Sequence, residues 1–143
     1  MNLPTPKKPK FVILDLDGTL IHETLFPQVL DLMKALKKAQ HHLSIASHNA
    51  YAEFFCKRYG LDELVDHIIG QETYPDMDKT PHLTRIAELY IKAGIIVNEE
   101  DMILVDDRLE VINDTRALMP NVSYIHVVSA NGMCKNDIKH LIT

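Results

Sequence analysis

The stretch "FVILDLDGTL", residues 11–20, runs four apolar residues into two aspartates separated by one leucine, with Gly18 and Thr19 directly after them. The unbroken apolar character of "FVIL" is that of a strand buried on both faces. Carboxylates at the end of such a strand are costly unless positive charge compensates them. Residues two apart in an extended segment point to the same side, so Asp15 and Asp17 can face one small volume. Gly18 permits the tight turn that leaves the strand, and Thr19 can hydrogen-bond Asp17 to keep it pointing inward.

Outward from this stretch the chain alternates strand and helix patterns. Pro27 suits a first helical position, and Val29, Leu32, Met33 and Leu36 follow at helical spacing. "HLSIAS" (42–47) reads as a second strand. Residues 49–59 carry Ala52, Phe55, Cys56 and Tyr59 on one helical face and stop at Gly60. "VDHIIG" (65–70) reads as a short third strand. Thr80 and Pro81 start a helix with Leu83, Ile86, Ala87, Tyr90 and Ile91 on one face, ending near Gly94. "MILVDD" (102–107) is a fourth strand, followed by a helix over 109–118 and a last strand, "VSYIHVV" (122–128). This alternation predicts an α/β, three-layer Rossmann-like fold whose central parallel sheet is covered on both faces. Between Asp17 and Ser47 there is room for a short flap, one helix and a strand, and between Ser47 and Lys79 for one helix and a short strand. No cap domain fits in either interval.

With 143 residues, 46% of them hydrophobic, the chain is expected to form one domain over 10–143 after a flexible tail at 1–9. The net charge of −5 and a pI near 5.9 argue against a nucleic-acid binder, which needs a basic excess to meet phosphates. "KKPK" (7–10) is the local exception and reads as part of the solvated tail stiffened by Pro4, Pro6 and Pro9. The apolar core of a signal peptide and the run needed for a membrane span are both missing, so a soluble, cytoplasmic protein without a membrane partner is expected. Cys56 and Cys134 have no C-x-x-C spacing and read as idle thiols. Most of the eight histidines, including His41 and His42 at a helix-to-strand junction, read as structural or surface residues.

Ligands of open α/β sheets bind beyond the carboxyl ends of the strands. Those ends here are Asp15 and Asp17, Ser47, then Asp106 and Asp107. Carboxylates converging there repel one another, and a hard divalent cation removes the conflict. Mg2+ suits this role, held by a few protein oxygens together with waters and substrate phosphate. Lys79 would supply the rest of the compensating charge. A carboxylate of the D-x-D pair facing a phosphate monoester is placed for in-line attack on phosphorus, giving an aspartyl-phosphate that water hydrolyses. Asp17 is placed to protonate the leaving oxygen and then to take a proton from that water. Ser47, Asn49 and free backbone N–H groups at the next helix start can bind phosphoryl oxygens, although Ser47 also suits a cap and Asn49 a helix start. Lys79 would offset charge in the transition state.

"DLDGT", Ser47 at a strand end, Lys79 before a helix and "VDD" at a later strand end resemble, in order, the four motifs of the haloacid dehalogenase superfamily of phosphohydrolases. Within it the chain is similar to the magnesium-dependent phosphatase-1 group, through "ETYP" (72–75), "DDR" (106–108) and the segment from Tyr124 to Met133. The resemblance covers nearly everything after Lys10. It implies Asp15 as nucleophile and Asp17 as general acid/base. It also implies Mg2+ held by Asp15, the Asp17 carbonyl and Asp106, with Asp107 supporting the metal water or Lys79. It further implies an open site for phosphotyrosine-like or phosphosugar esters, borne by a small molecule or a phosphoprotein. The flap near 21–26 and the loop at Tyr74 would then supply discrimination. The chain departs from that group at Gly18, where an aromatic residue is usual, at His48, where an arginine is usual, and in having no tryptophan.

A D-x-D alone is more often a solvated turn or a calcium loop, and Lys79 alone would be a surface lysine. Two other classes compete with an enzyme. A signalling receiver domain also combines acids, Mg2+ and a lysine, but places its acidic pair after the first strand and its phosphoacceptor after the third. A non-catalytic phosphate-binding protein on a similar fold would lack some of the residues that are all present here.

Overall fold

The computed structural model describes residues 8–71 and 78–143. "ETYP" and the Tyr74 loop lie outside the described residues. Five parallel strands form the sheet in the order β5-β4-β1-β6-β7. They are β1 (Phe11–Leu14), β4 (His42–Ala46), β5 (His67–Ile69), β6 (Met102–Asp106) and β7 (Ser123–His126). A separate antiparallel hairpin, β2 (Ile21–His22) and β3 (Thr24–Leu25), is the short flap. The helices are α1 (Val29–Lys38), α2 (Ala52–Arg58), α3 (Thr80–Lys92), α4 (Leu109–Leu118) and α5 (Lys135–Ile142). No inserted domain interrupts this series among the described residues. The sequence pattern misses α5, because only Ile138 and Leu141 of its eight residues are buried and apolar, too few to set a helical period.

Alternation along the strands makes the three layers. Val12, Leu14, Leu43, Ile45, Ile103 and Val105 pack on one face with Leu32, Met33 and Leu36 of α1, Cys56 of α2, and Ile138 and Leu141 of α5. Phe11, Ile13, Ala46, Met102 and Leu104 pack on the other with Leu83, Ile86 and Tyr90 of α3. Both faces are covered, which is why "FVIL" and "MILV" are apolar at every position. Each fully buried aliphatic side chain there contributes about 1.5–3 kcal/mol of transfer free energy. Ser44 faces α3, where its hydroxyl lies 2.8 Å from the Tyr90 hydroxyl, which in turn donates to Asp66 at 2.9 Å. A polar residue is thus tolerated in the middle of a buried strand.

Parity along β1 and β6 positions the site. Phe11 and Ile13, like Met102 and Leu104, face α3, so Asp15 and Asp106 continue on that side. The register pairs Leu14 with Val105 and with Ile45, which sets Asp15 beside Asp106 and close to Ser47. The strand that follows β4 along the chain ends at Ile69 and continues with Gly70 and Gln71, so no acceptor carboxylate of the receiver type follows it directly.

At the other end of the sheet, His41 is buried and takes a structural role. Its Nε2–H donates to the Leu141 carbonyl at 2.8 Å, and its Nδ1 accepts from the Lys10 backbone N–H at 2.9 Å. Lys8 and Lys10, which the sequence pattern assigns to a solvated basic stretch, both pair with Asp101, at 2.7 and 3.2 Å. Cys56 and Cys134 are free, and burial pushes the Cys56 thiol up to about 12. No helix among the described residues is long and apolar enough to cross a membrane.

Candidate active site

Asp15 leaves β1 with its backbone N–H still bonded to the Val105 carbonyl at 2.9 Å, so the sheet itself fixes its direction. Lys79 precedes the first residue of α3, and its backbone N–H donates to Thr115 Oγ1 of α4 at 2.9 Å. Its ammonium reaches between the two strand-end acids, donating to Asp15 Oδ1 at 2.6 Å and to Asp106 Oδ2 at 2.7 Å. All three residues are buried, Lys79 to 1% exposure. The buried charge demanded by the apolar strand therefore has a fixed protein partner.

The second oxygen of Asp15 accepts from Thr19 Oγ1 at 3.4 Å, and that of Asp106 accepts from the Arg108 backbone N–H at 2.9 Å. Thr19 thus supports Asp15, whereas its spacing suggested Asp17. Thr19 is fully buried under the loop and Asp17 is exposed, so the buried hydroxyl finds the buried acid. Asp17 is held instead by Asn49, whose Nδ2 donates to Asp17 Oδ2 at 3.1 Å. Asn49 is itself fixed, since its Oδ1 accepts from the Tyr51 N–H at 2.8 Å and its own N–H donates to Ser47 Oγ at 3.0 Å. The Ser47 hydroxyl therefore closes this turn, and α2 begins after it without a side-chain cap.

Asp15, Asp17, Ser47, Asn49, Lys79 and Asp106 all line one cavity of about 270 Å³, with His48, Arg108 and Val111 in the same wall. A larger cavity, about 530 Å³, lies at the opposite end of the sheet around Lys38, His41 and Leu141, and brings together no cluster of carboxylates. The smaller one is where these six predicted residues converge.

Charge in the site is frustrated. Burial pushes the Asp15 carboxyl up to about 6; Lys79 opposes this, and the nearby Asp107 adds to it. Burial and Asp15 together hold Asp106 above the usual carboxylate range against the pull of Lys79. Burial works against the Lys79 ammonium, but Asp15 and Asp106 outweigh it and hold its pKa above the ordinary value. One ammonium does not satisfy this many acids.

Asp15, Asp106 and Asp107 each offer an oxygen within 4.8 Å of the others. Asp107 Oδ1 is buried without a hydrogen-bond partner, which is the state expected of an oxygen awaiting a cation. Three hard oxygens at this spacing, beside an open cavity that admits water, fit a divalent cation of the Mg2+ type. The Asp17 carboxylate is not in this group.

Gly18 makes room for Asp107. Its φ is +82°, and a Cβ placed on it would lie 2.1 Å from Asp107 Oδ2. Gly18→Ala is expected to cost about 1–2 kcal/mol in backbone strain and to push Asp107 away from the other acids. Calorimetric titration with Mg2+ should show weaker binding in the variant. Unchanged affinity would take Asp107 out of the metal site.

Residues that the sequence motifs do not single out complete the setting. His82, three residues after Lys79 on α3, faces the Ser47 carbonyl with Nε2 at 3.0 Å. Burial, with Lys79 and His48 nearby, pushes its imidazole down to about 4, so it is a neutral Nε2–H donor. His48 packs edge-on against it, with ring centroids 5.2 Å apart. The i, i+3 offset from Lys79 is the signal that could have marked His82.

No protein-family model and no curated protein matches the sequence. Solved structures do match the fold. A haloacid dehalogenase-like family hydrolase from Streptococcus pneumoniae is 14% identical with a TM-score of 0.69, over 93% of this chain and 90% of that one. CbbY from Rhodobacter sphaeroides, solved with phosphate, is 14% identical with a TM-score of 0.62, over 87% of this chain and 88% of that one. The N-terminal part of a Bacteroides fragilis protein containing a phosphatase domain, complexed with Mg, is 14% identical with a TM-score of 0.66 over 93% of this chain and 40% of that one. The chain has the haloacid dehalogenase-like fold.

Proposed function

We propose that this chain is a Mg2+-dependent phosphomonoester hydrolase of the haloacid dehalogenase type, acting through an aspartyl-phosphate on Asp15. The observation that carries this reading is the pairing of a buried, lysine-held Asp15 with an Asn49-held Asp17 at one cavity, beside an acid cluster that fits a divalent cation. A bound Mg2+ would neutralise the acids and draw charge from a phosphoryl oxygen.

The protein groups divide the work. Lys79 and Thr19 fix the Asp15 carboxylate, leaving it to attack phosphorus from the cavity floor. As the Asp15 O–P bond forms, the ester P–O bond breaks and Asp17 gives its proton to the departing oxygen. Asp17 is then a carboxylate, and it takes a proton from the water that attacks the phosphoryl group and releases Asp15. Asn49 holds Asp17 through both steps. The Ser47 hydroxyl accepts from the Asn49 N–H and keeps its own O–H to donate to a phosphoryl oxygen. Neither the flap nor any inserted domain closes over the cavity among the described residues, so aryl phosphates are expected as substrates with modest selectivity. The resemblance to the magnesium-dependent phosphatase-1 group favours phosphotyrosine-like or phosphosugar esters.

A panel of phosphate monoesters, including p-nitrophenyl phosphate, assayed with Mg2+ and with excess chelator tests the reading. Turnover is expected only with Mg2+. Full activity in chelator, or no turnover of any ester, would refute it. Melting temperature gives a second readout with a definite pH dependence. The Asp15 carboxyl titrates near 6 in the fold and near 3.8 unfolded, so its stabilising contribution is present below about pH 4 and lost as pH rises through 6. Mg2+ offsets that loss by favouring the ionised form. The rise in melting temperature on adding Mg2+ should therefore be small at pH 5 and large at pH 7.5.

A further inference from the structure

Lys79 and one divalent cation would together only balance the three carboxylates Asp15, Asp106 and Asp107, so neither would have charge to spare for a second anionic group on a substrate. Among the described residues of the cavity wall, Arg108 is the remaining cation. His48 is held toward its neutral form by burial and by the positive charges of Lys79 and Arg108. Residues 72–77, "ETYPDM", contain no basic residue that could substitute.

Arg108 is fixed at its backbone and held at its guanidinium only by an exposed partner. Its backbone N–H is bonded to Asp106 Oδ1 at 2.9 Å, directly before α4. Its guanidinium is bonded to Glu110 Oε1 at 3.0 Å, with side-chain exposures of 44% and 66% for the two partners. Exposed pairs of this kind are weak and readily exchanged. The guanidinium fork matches a carboxylate or a pair of phosphoryl oxygens. Height in the cavity decides which part of a substrate it meets. Asp15, which must touch the scissile phosphorus, is 6% exposed on the floor, whereas Arg108 is exposed at the rim, where the leaving group of an ester attacked from the floor would lie.

Building on the hydrolase reading, we infer that Arg108 selects substrates with a second anionic group, a carboxylate or another phosphate, on the leaving group a few bonds from the scissile phosphate. On binding, the guanidinium leaves Glu110 for that anion. A neutral leaving group would forgo this contact.

Two matched pairs of esters test the inference: 3-phosphoglycerate against glycerol 1-phosphate, and 1,3-propanediol bisphosphate against 3-hydroxypropyl phosphate. In the wild type, kcat/KM should favour the extra-anion member of at least one pair by about tenfold or more. The pair that responds identifies carboxylate or phosphate as the preferred anion. Arg108→Gln should collapse the ratio toward one, Arg108→Lys should retain part of it, and Glu110→Gln should increase it. A wild-type ratio near one in both pairs overturns the inference. So does an Arg108→Gln variant that loses equally on both members, which would place the guanidinium on the scissile phosphoryl group or in a structural role. If no ester turns over, calorimetry of the Mg2+-loaded protein with phosphonoacetate and ethylphosphonate separates the two readings. Tighter phosphonoacetate binding that depends on Arg108 would uphold this inference while the hydrolase reading falls, and equal binding would overturn it.

Discussion

Asp15→Asn is expected to abolish turnover, by about 10⁶-fold or to the limit of detection, and to leave no phosphoenzyme. An amide is a far poorer nucleophile than a carboxylate, and none of the other acids can replace it. Asp106 is tied to Lys79 and to the Arg108 N–H, and Asp17 stands at the cavity mouth in the grip of Asn49. The variant should still fold, because Asn retains the shape of Asp15 and removes one of the crowded charges. Asp17→Asn should behave differently. With an activated aryl phosphate the leaving group departs without much protonation, so transfer onto Asp15 continues while hydrolysis loses its base. Turnover should fall by about 10²–10⁴-fold, with phosphoenzyme accumulating. Rapid acid quench and intact-mass analysis read both variants directly. One added phosphoryl group in Asp15→Asn, or wild-type turnover in Asp17→Asn, would show the assigned roles to be wrong.

Lys79→Met should cost about 3–5 kcal/mol of stability at pH 8 in excess chelator, because it leaves the buried Asp15 and Asp106 without the ammonium that lies 2.6 and 2.7 Å from them. Burial already raises both carboxyls, and removing the cation raises them further. A carboxyl with a raised folded-state pKa stabilises the protein below its unfolded pKa, and that contribution is lost as pH rises through the folded value. The gap between variant and wild type should therefore narrow as pH falls from 8 to 5. Urea denaturation at the two pH values measures it. Methionine changes the charge more than the shape, so an equal loss at both pH values would overturn the electrostatic account of Lys79. Mg2+ should recover part of the loss at pH 8 by taking over the neutralisation.

The acids at the strand ends were legible in the sequence because their pattern is local. Asp15 and Asp17 are two residues apart on one extended run, and Asp106 ends an equally apolar run. Thr80–Pro81 marks the start of α3 directly after Lys79. Buried parallel strands cannot alternate, so "FVIL" and "MILV" declare themselves, as do helices with a full apolar stripe such as α1 and α3. The α5 helix did not, having only two buried apolar residues for the sheet to use.

What the sequence by itself determined is the order of elements as far as β7, the parallel sheet, and the presence of an acid pair, a serine, a lysine and a second acid pair in that order. The partnerships were decided by tertiary structure. Thr19 serves Asp15 because both are buried, and Asn49 serves Asp17 because a turn closed by Ser47 aims it there. Lys79 meets Asp15 and Asp106 because β1 and β6 are adjacent with Leu14 opposite Val105, and because both acids project toward α3. Arg108 and His82 enter the site only when α4 and α3 dock on that same face. Strand order, side-chain parity and helix docking relate residues tens of positions apart, and hydrogen bonds and charges act over a few ångströms of space whatever their separation along the chain.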